Sequence, residues 1–136
     1  IRYLNPSDLY LKENLLPNFV VADLSFISLK LVFEPINNLL SGDSIEGVFL
    51  IKPQFEVGKD RVSKGGVVRK AAYHVEAINS VIKAGEELKW NIMGLIASPL
   101  VGPAGNHEYL AWMSKIEVSN PTINTKFIEN LVKKTL

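Results

Sequence analysis

Gly47-Val48-Phe49-Leu50-Ile51-Lys52-Pro53 is the stretch that decides the fold. Its apolar run does not alternate with polar residues, which marks a strand covered on both faces, and Pro53 stops it. Upstream, Asn18-Phe19-Val20-Val21-Ala22-Asp23-Leu24 reads as a second strand of the same kind. Between the two, Leu29, Val32, Phe33, Ile36 and Leu39 recur at spacings of three and four. That spacing predicts an amphipathic helix over Ser28 to Leu40, with Ser28 as N-cap and Ser41-Gly42-Asp43 as its end.

Downstream of Pro53 a long loop is expected as far as Lys70. Structureless loops of this length inside compact domains are usually functional or mobile. A helix follows over Ala71 to Lys89, with Val75, Ile78 and Ile82 on one face. Then come a third strand, Asn91 to Ala97, a Gly/Pro loop to Asn106, and a fourth strand, His107 to Met113. Asn120-Pro121-Thr122 punctuates, and a terminal helix over Ile123 to Leu136 turns Phe127, Ile128, Leu131 and Val132 inward. A short helix is also expected near Ser7 to Glu13. Strands joined by helices run parallel with right-handed crossovers. The last two strands are joined only by a loop, so the fourth is antiparallel. The fold class is an open α/β sheet, mostly parallel, with one reversed strand near its edge.

The composition sets limits on function. The 136 residues suit one domain, and there is no cysteine, which excludes a disulfide framework and a Cys-based zinc site. The formal net charge of +1 gives no overall basic field. No apolar run reaches the roughly 20 residues of a membrane span; Ile92 to Val101 is broken by Gly94, Ser98 and Pro99. No signal peptide is visible at Ile1-Arg2-Tyr3-Leu4-Asn5-Pro6, and a cytoplasmic protein is expected. The start without methionine suits a piece of a longer chain.

Topology brings three charged residues together. Ligands of open α/β sheets bind beyond the carboxyl ends of the parallel strands. Asp23 ends the first strand, Lys52 ends the second, and Glu108 opens the reversed strand at the same rim. A structural salt-bridge cluster is the competing reading. His74, early in its helix, reads as a solvated or capping residue, and alternation points His107 away from Glu108. No metal set, nucleophile elbow or complete glycine-rich phosphate motif is present. Gly102-Pro103-Ala104-Gly105-Asn106 reads as a tight turn, and Trp90 and Trp112 as core or groove packing. Between Lys52 and Lys70, six basic residues stand against Glu56 and Asp60, an excess of four positive charges suited to phosphates at the mouth of the site.

Several segments are similar to one known family. Asp23-Leu24-Ser25-Phe26-Ile27-Ser28-Leu29, Lys52-Pro53-Gln54-Phe55-Glu56-Val57-Gly58, Lys64-Gly65-Gly66-Val67-Val68-Arg69, and Gly102-Pro103-Ala104-Gly105-Asn106-His107-Glu108-Tyr109 resemble, in order and spacing, motifs of the haemolysin A (TlyA-type) family. That family resembles FtsJ-like methyltransferases. The resemblance implies S-adenosyl-L-methionine as cofactor and ribose 2′-O-methylation of ribosomal RNA, with ribosomal RNA or a ribosomal subunit as partner. It implies that Asp23, Lys52 and Glu108 are the last three members of a Lys-Asp-Lys-Glu catalytic set. Asp23, Leu24 and Ser25 would touch the cofactor, and Lys59, Arg61, Lys64 and Arg69 would touch RNA.

The first lysine of that set, the glycine-rich cofactor motif and an S4-like RNA-binding domain have no counterpart in the sequence. The expectation is therefore the C-terminal half of a Rossmann-like methyltransferase sheet. Residues 1–115 would form its C-terminal part and residues 116–136 a linker and terminal helix. The first strand would offer a bare apolar edge, the N-terminal half of the domain would lie elsewhere, and the fragment alone would be inactive. Two alternatives stand beside this reading: a non-catalytic RNA- or ribosome-binding module, and a membrane-active haemolysin. As a base Lys52 would have to be neutral, whereas flanking carboxylates favour its cation; as an ammonium it would stabilise a developing alkoxide.

Overall fold

The computed structural model describes residues 17–40, 44–117 and 122–136. The expected helix near Ser7 and the terminator Ser41-Gly42-Asp43 lie outside the described residues. The order of elements is β1 (Phe19–Ala22), a 3-10 turn (Leu29–Leu31), α1 (Phe33–Leu39), β2 (Glu46–Ile51) and α2 (Pro53–Glu56). A second 3-10 turn (Lys59–Arg61), α3 (Ala71–Glu87), β3 (Asn91–Ala97), β4 (Tyr109–Ser114) and α4 (Thr125–Thr135) complete it.

The sheet order is β1-β2-β4-β3. β1 and β2 are parallel, and β4 runs antiparallel to both its neighbours. The reversed strand thus lies between β2 and β3, while β1, β2 and β3 all point one way. The three carboxyl ends converge on one rim, and the chain re-enters the sheet there through the loop before β4.

The core lies on one face of the sheet. Phe49 and Ile51 of β2 alternate with half-buried neighbours and register against Ala111 and Tyr109 of β4, all four fully buried. Against them pack Phe33 and Ile36 of α1, Ile78 and Val81 of α3, and Trp90. Phe33 and Phe49 lie 4.9 Å apart between ring centroids, and Trp90 meets Phe49 edge-on at 5.5 Å. Such aromatic pairs add about 0.5–1.5 kcal/mol each beyond area burial.

Several expectations are corrected. Helices among the described residues cover only one face, so Val21, Trp112 and Ile96 on the other are exposed rather than enclosed. Trp112 is therefore not core, and its indole N–H donates to Glu46 Oε2 at 3.0 Å. As expected, β1 forms an apolar edge, with Phe19 and Val21 exposed. The helix expected from Ser28 divides into a 3-10 turn and a later α-helix. Ser28 still caps its start, accepting from Lys30 N–H. The loop after Pro53 is built structure: α2, the 3-10 turn and an antiparallel bridge from Ser63 to Val67. Gly65 and Gly66 close that bridge with φ of +97° and +83°, backbone that only glycine adopts without strain. In α4, Ile128 and Val132 are buried, but Phe127 is exposed. No described helix is long and apolar enough to cross a membrane.

Candidate active site

At the carboxyl end of β2, Ile51 is buried in the core and the following peptide carries Lys52 out to the rim. Pro53 then opens α2 at its first position, where its missing N–H costs nothing. Lys52 Nζ lies 2.7 Å from Asp23 Oδ1, just beyond β1, and donates to Ser25 Oγ at 3.1 Å. The lysine side chain is only 12% exposed, whereas Asp23 is 66% exposed.

β4 starts at Tyr109, two residues later than expected, so Glu108 stands one residue before the strand. It is buried, and its Oε1 accepts from Gln54 Nε2 at 2.8 Å. Lys52 and Glu108 line one open groove of about 1200 Å³, together with Ser25, Phe26, Gln54 and Asn106. The structure therefore brings Asp23 and Lys52 into direct contact and puts Glu108 in the same groove through Gln54. Ser25 lines the groove, and Leu24 is half-buried between Asp23 and Ser25.

The groove's walls are held by long-range hydrogen bonds. Glu56, counted by sequence among the loop's surface charges, is buried. It accepts from Ser28 Oγ at 2.6 Å and Leu29 N–H at 2.8 Å, so α2 anchors the turn that follows Asp23. Burial pushes its carboxyl above the usual range, an effect the Ser28 and Leu29 hydrogen bonds and nearby Lys30 oppose.

On the opposite wall, the Asn106 side chain accepts from Val68 N–H at 3.0 Å and donates to Gly66 O at 2.8 Å. The Gly102 to Asn106 segment is a tight turn, closed by Gly102 N–H to Asn106 O at 2.9 Å. His74 is fully buried, contrary to the solvated or capping role expected for it. Its Nε2 lies 2.9 Å from Val68 O, and its Nδ1 lies 3.0 Å from the Tyr109 hydroxyl. A carbonyl can only accept, so Nε2 carries the proton and Nδ1 accepts from Tyr109. Burial lowers the His74 pKa, and it raises that of Tyr109 to about 12.

The basic residues differ in availability. Lys59 lines the groove, and Lys64 and Arg69 are exposed. Arg61 is engaged: its guanidinium pairs with Glu76 and lies 5.3 Å from the centre of the Tyr73 ring. Sequence reasoning singled out neither Phe26 nor Gln54. Phe26 is 90% exposed at a φ of +63° and lies 5.1 Å from Phe55 between ring centroids. A bulky residue held with positive φ and left in water is a signal only coordinates reveal.

A mixed sheet with one reversed strand between two like-directed ones, and a groove at their carboxyl ends with apolar walls and a few polar side chains, define a Rossmann-like methyltransferase architecture. The chain belongs to the FtsJ-like methyltransferase family, whose model matches residues 1–115. Within the family its similarity is to TlyA and hemolysin A proteins. It is 40% identical over 119 residues to the 16S/23S rRNA (cytidine-2′-O)-methyltransferase TlyA of Mycobacterium tuberculosis, covering 88% of this chain and 43% of that protein. It is 36% identical over 100 residues to Hemolysin A of Brachyspira hyodysenteriae, covering 71% of this chain and 40% of that one. A solved structure described as "Putative hemolysin from Streptococcus thermophilus" superposes with a TM-score of 0.86 at 31% identity, over 98% of this chain and 46% of the other. The chain spans less than half the length of these relatives.

Proposed function

We propose that the full-length protein transfers a methyl group from S-adenosyl-L-methionine to a ribose 2′-hydroxyl of ribosomal RNA. In this reading the chain supplies the residues that act on the hydroxyl, while the main cofactor-binding half lies outside it. Residues 1–115 are assigned to the C-terminal part of the catalytic domain, and 116–136 to a linker and terminal helix. The observation that carries the proposal is the Asp23–Lys52 ion pair at the rim of the parallel strands, in one groove with Glu108. The TlyA relative's name supplies the substrate class.

The residues present suit such ligands. Single small-molecule sites span about 300–1,000 Å³, and the groove, at about 1200 Å³, has room for a nucleoside cofactor beside an RNA nucleotide. Apolar Ile27, Leu31, Phe55 and Val57 line it together with Ser25, Lys52 and Asn106. When bound, the cofactor supplies a methyl group made electrophilic by a sulfonium. Lys52, positioned by Asp23, donates to the 2′-oxygen and stabilises its developing negative charge as the hydroxyl proton passes to solvent. Asp23 and Glu108 orient the donors. Asp23, Leu24 and Ser25 border the cofactor, and Lys59, Lys64 and Arg69 meet phosphates. Arg61 contributes less because Glu76 already neutralises it. The exposed Phe26 ring offers a face on which a base can stack.

The test is incubation of the full-length protein with ribosomal subunits and labelled cofactor, followed by mass-spectrometric location of the methyl group. A 2′-O-methylated nucleotide is expected. Failure to label any ribosomal RNA, or methylation on a base, would contradict the reading.

A further inference from the structure

Pro53 sits between two polar side chains that serve different strands. Lys52, before it, reaches back to Asp23 and Ser25, and Gln54, after it, reaches across to Glu108. The amide orientation of Gln54 follows from chemistry: its reversal would set the amide oxygen against a carboxylate oxygen. In the orientation that bonds Glu108, Gln54 Oε1 is buried and has no hydrogen-bond partner among the described residues. An unpaired buried acceptor costs about 1–3 kcal/mol. A residue needed only for packing would be better apolar, so the glutamine's presence points to its one bond.

We propose that Gln54 is a positioning residue for the methyl-transfer site, fixing the Glu108 carboxylate by a hydrogen bond to one oxygen. The inference rests on the function proposed above. Gln54 touches Glu108 and acts through it. Because Lys52 and Gln54 flank one proline, the start of α2 sets both arms of the site at once. Any shift of that turn displaces Lys52 and Gln54 together, and so bears on the bonds to Asp23 and to Glu108 at once. The charged and titratable groups that line the groove with Glu108 are Lys52, with its partner Asp23, and Lys59; His107 and Tyr109 adjoin it in the chain.

Two substitutions in the full-length enzyme separate this role from a structural one. Gln54→Leu removes the unpaired acceptor but also leaves the buried Glu108 oxygen without its donor; the two effects oppose each other, so the melting temperature stays within a few degrees of wild type. A hydrogen bond to a charged group contributes about 1.5–3 kcal/mol, so kcat falls by roughly ten- to 150-fold while KM for RNA and cofactor affinity change little. Gln54→Glu gives a distinct signature. Two carboxyl groups in contact share a proton, and the second ionises at raised pH. Below that pH the protonated Glu replaces the amide donor and the rate is near wild type. Above it both ionise, repel, and the rate falls. The pH–rate profile of Gln54→Glu therefore gains a fall in rate at a pH where wild type and Gln54→Leu show none. Wild-type kcat in Gln54→Leu, or a Gln54→Glu profile parallel to wild type, would overturn the role of Gln54 with the proposed function intact. Absence of methyl transfer by the wild-type enzyme would overturn the proposed function, and this role with it.

Discussion

Lys52 and Asp23 stand 2.7 Å apart at the ends of adjacent parallel strands. The register that pairs Ala22 with Phe49 ends β1 two residues short of Ile51, the end of β2, and the Lys52 side chain spans that stagger to Asp23. An ion pair at such a place could be structural. Two features favour a site: the lysine is largely enclosed while opening onto a large groove, and a buried second carboxylate, Glu108, lines that groove. Asp23 remains mostly exposed, so the pair by itself contributes little to stability.

The basic loop provides a graded test of RNA contact. Lys59→Ala, Lys64→Ala and Arg69→Ala should each weaken RNA binding and lower the slope of log affinity against log salt by roughly one. Arg61→Ala should change the slope less, since its charge is paired with Glu76. Filter binding of ribosomal RNA across a salt series measures this; equal slopes for all four variants and wild type would contradict it.

The buried His74–Tyr109 pair makes stability depend on pH at both ends. The His74 pKa is lowered in the folded state from 6.5 by burial, so the unfolded chain takes up the proton first as pH falls. Its contribution is present above about pH 6.5 and lost below it. The Tyr109 pKa is raised from 10.0 to about 12 by burial, so the unfolded chain loses that proton first and stability falls as pH rises past 10. Urea denaturation across pH should show both limbs. Tyr109→Phe should remove the alkaline one, and an acid limb unchanged in His74→Phe would contradict the assignment.

Phe26 is so exposed that truncation should leave stability nearly unchanged. Base–aromatic stacking contributes about 1–3 kcal/mol, so Phe26→Ala should raise KM for RNA by roughly five- to 150-fold. Steady-state kinetics with cofactor saturating decides the matter; an unchanged KM would remove the ring from the substrate's path.

The sheet and its rim were legible because they follow from local signals. Runs such as Val48 to Ile51 mark strands, and the strand direction then brings Asp23, Lys52 and Glu108 to one edge. The support of the site was not legible. Glu56 and His74 look like solvent-facing groups in sequence, and only contacts 6 to 38 residues away bury and satisfy them and their partners. Gln54 was read as part of a loop because a four-residue helix carries no periodicity, although Pro53 directly after a strand is an N-terminal signal. Enclosure of β1 and of Trp112 was overread, since an apolar run does not say which of its faces other segments cover.

The most direct test is the Lys52→Ala substitution in the full-length protein, assayed by single-turnover methyl transfer to ribosomal RNA alongside cofactor binding. Losing a donor to a developing oxyanion costs about 10²–10³ in rate. The account predicts a loss of that size with cofactor affinity within a few-fold of wild type, and a Lys52→Ala rate within threefold of wild type would contradict it.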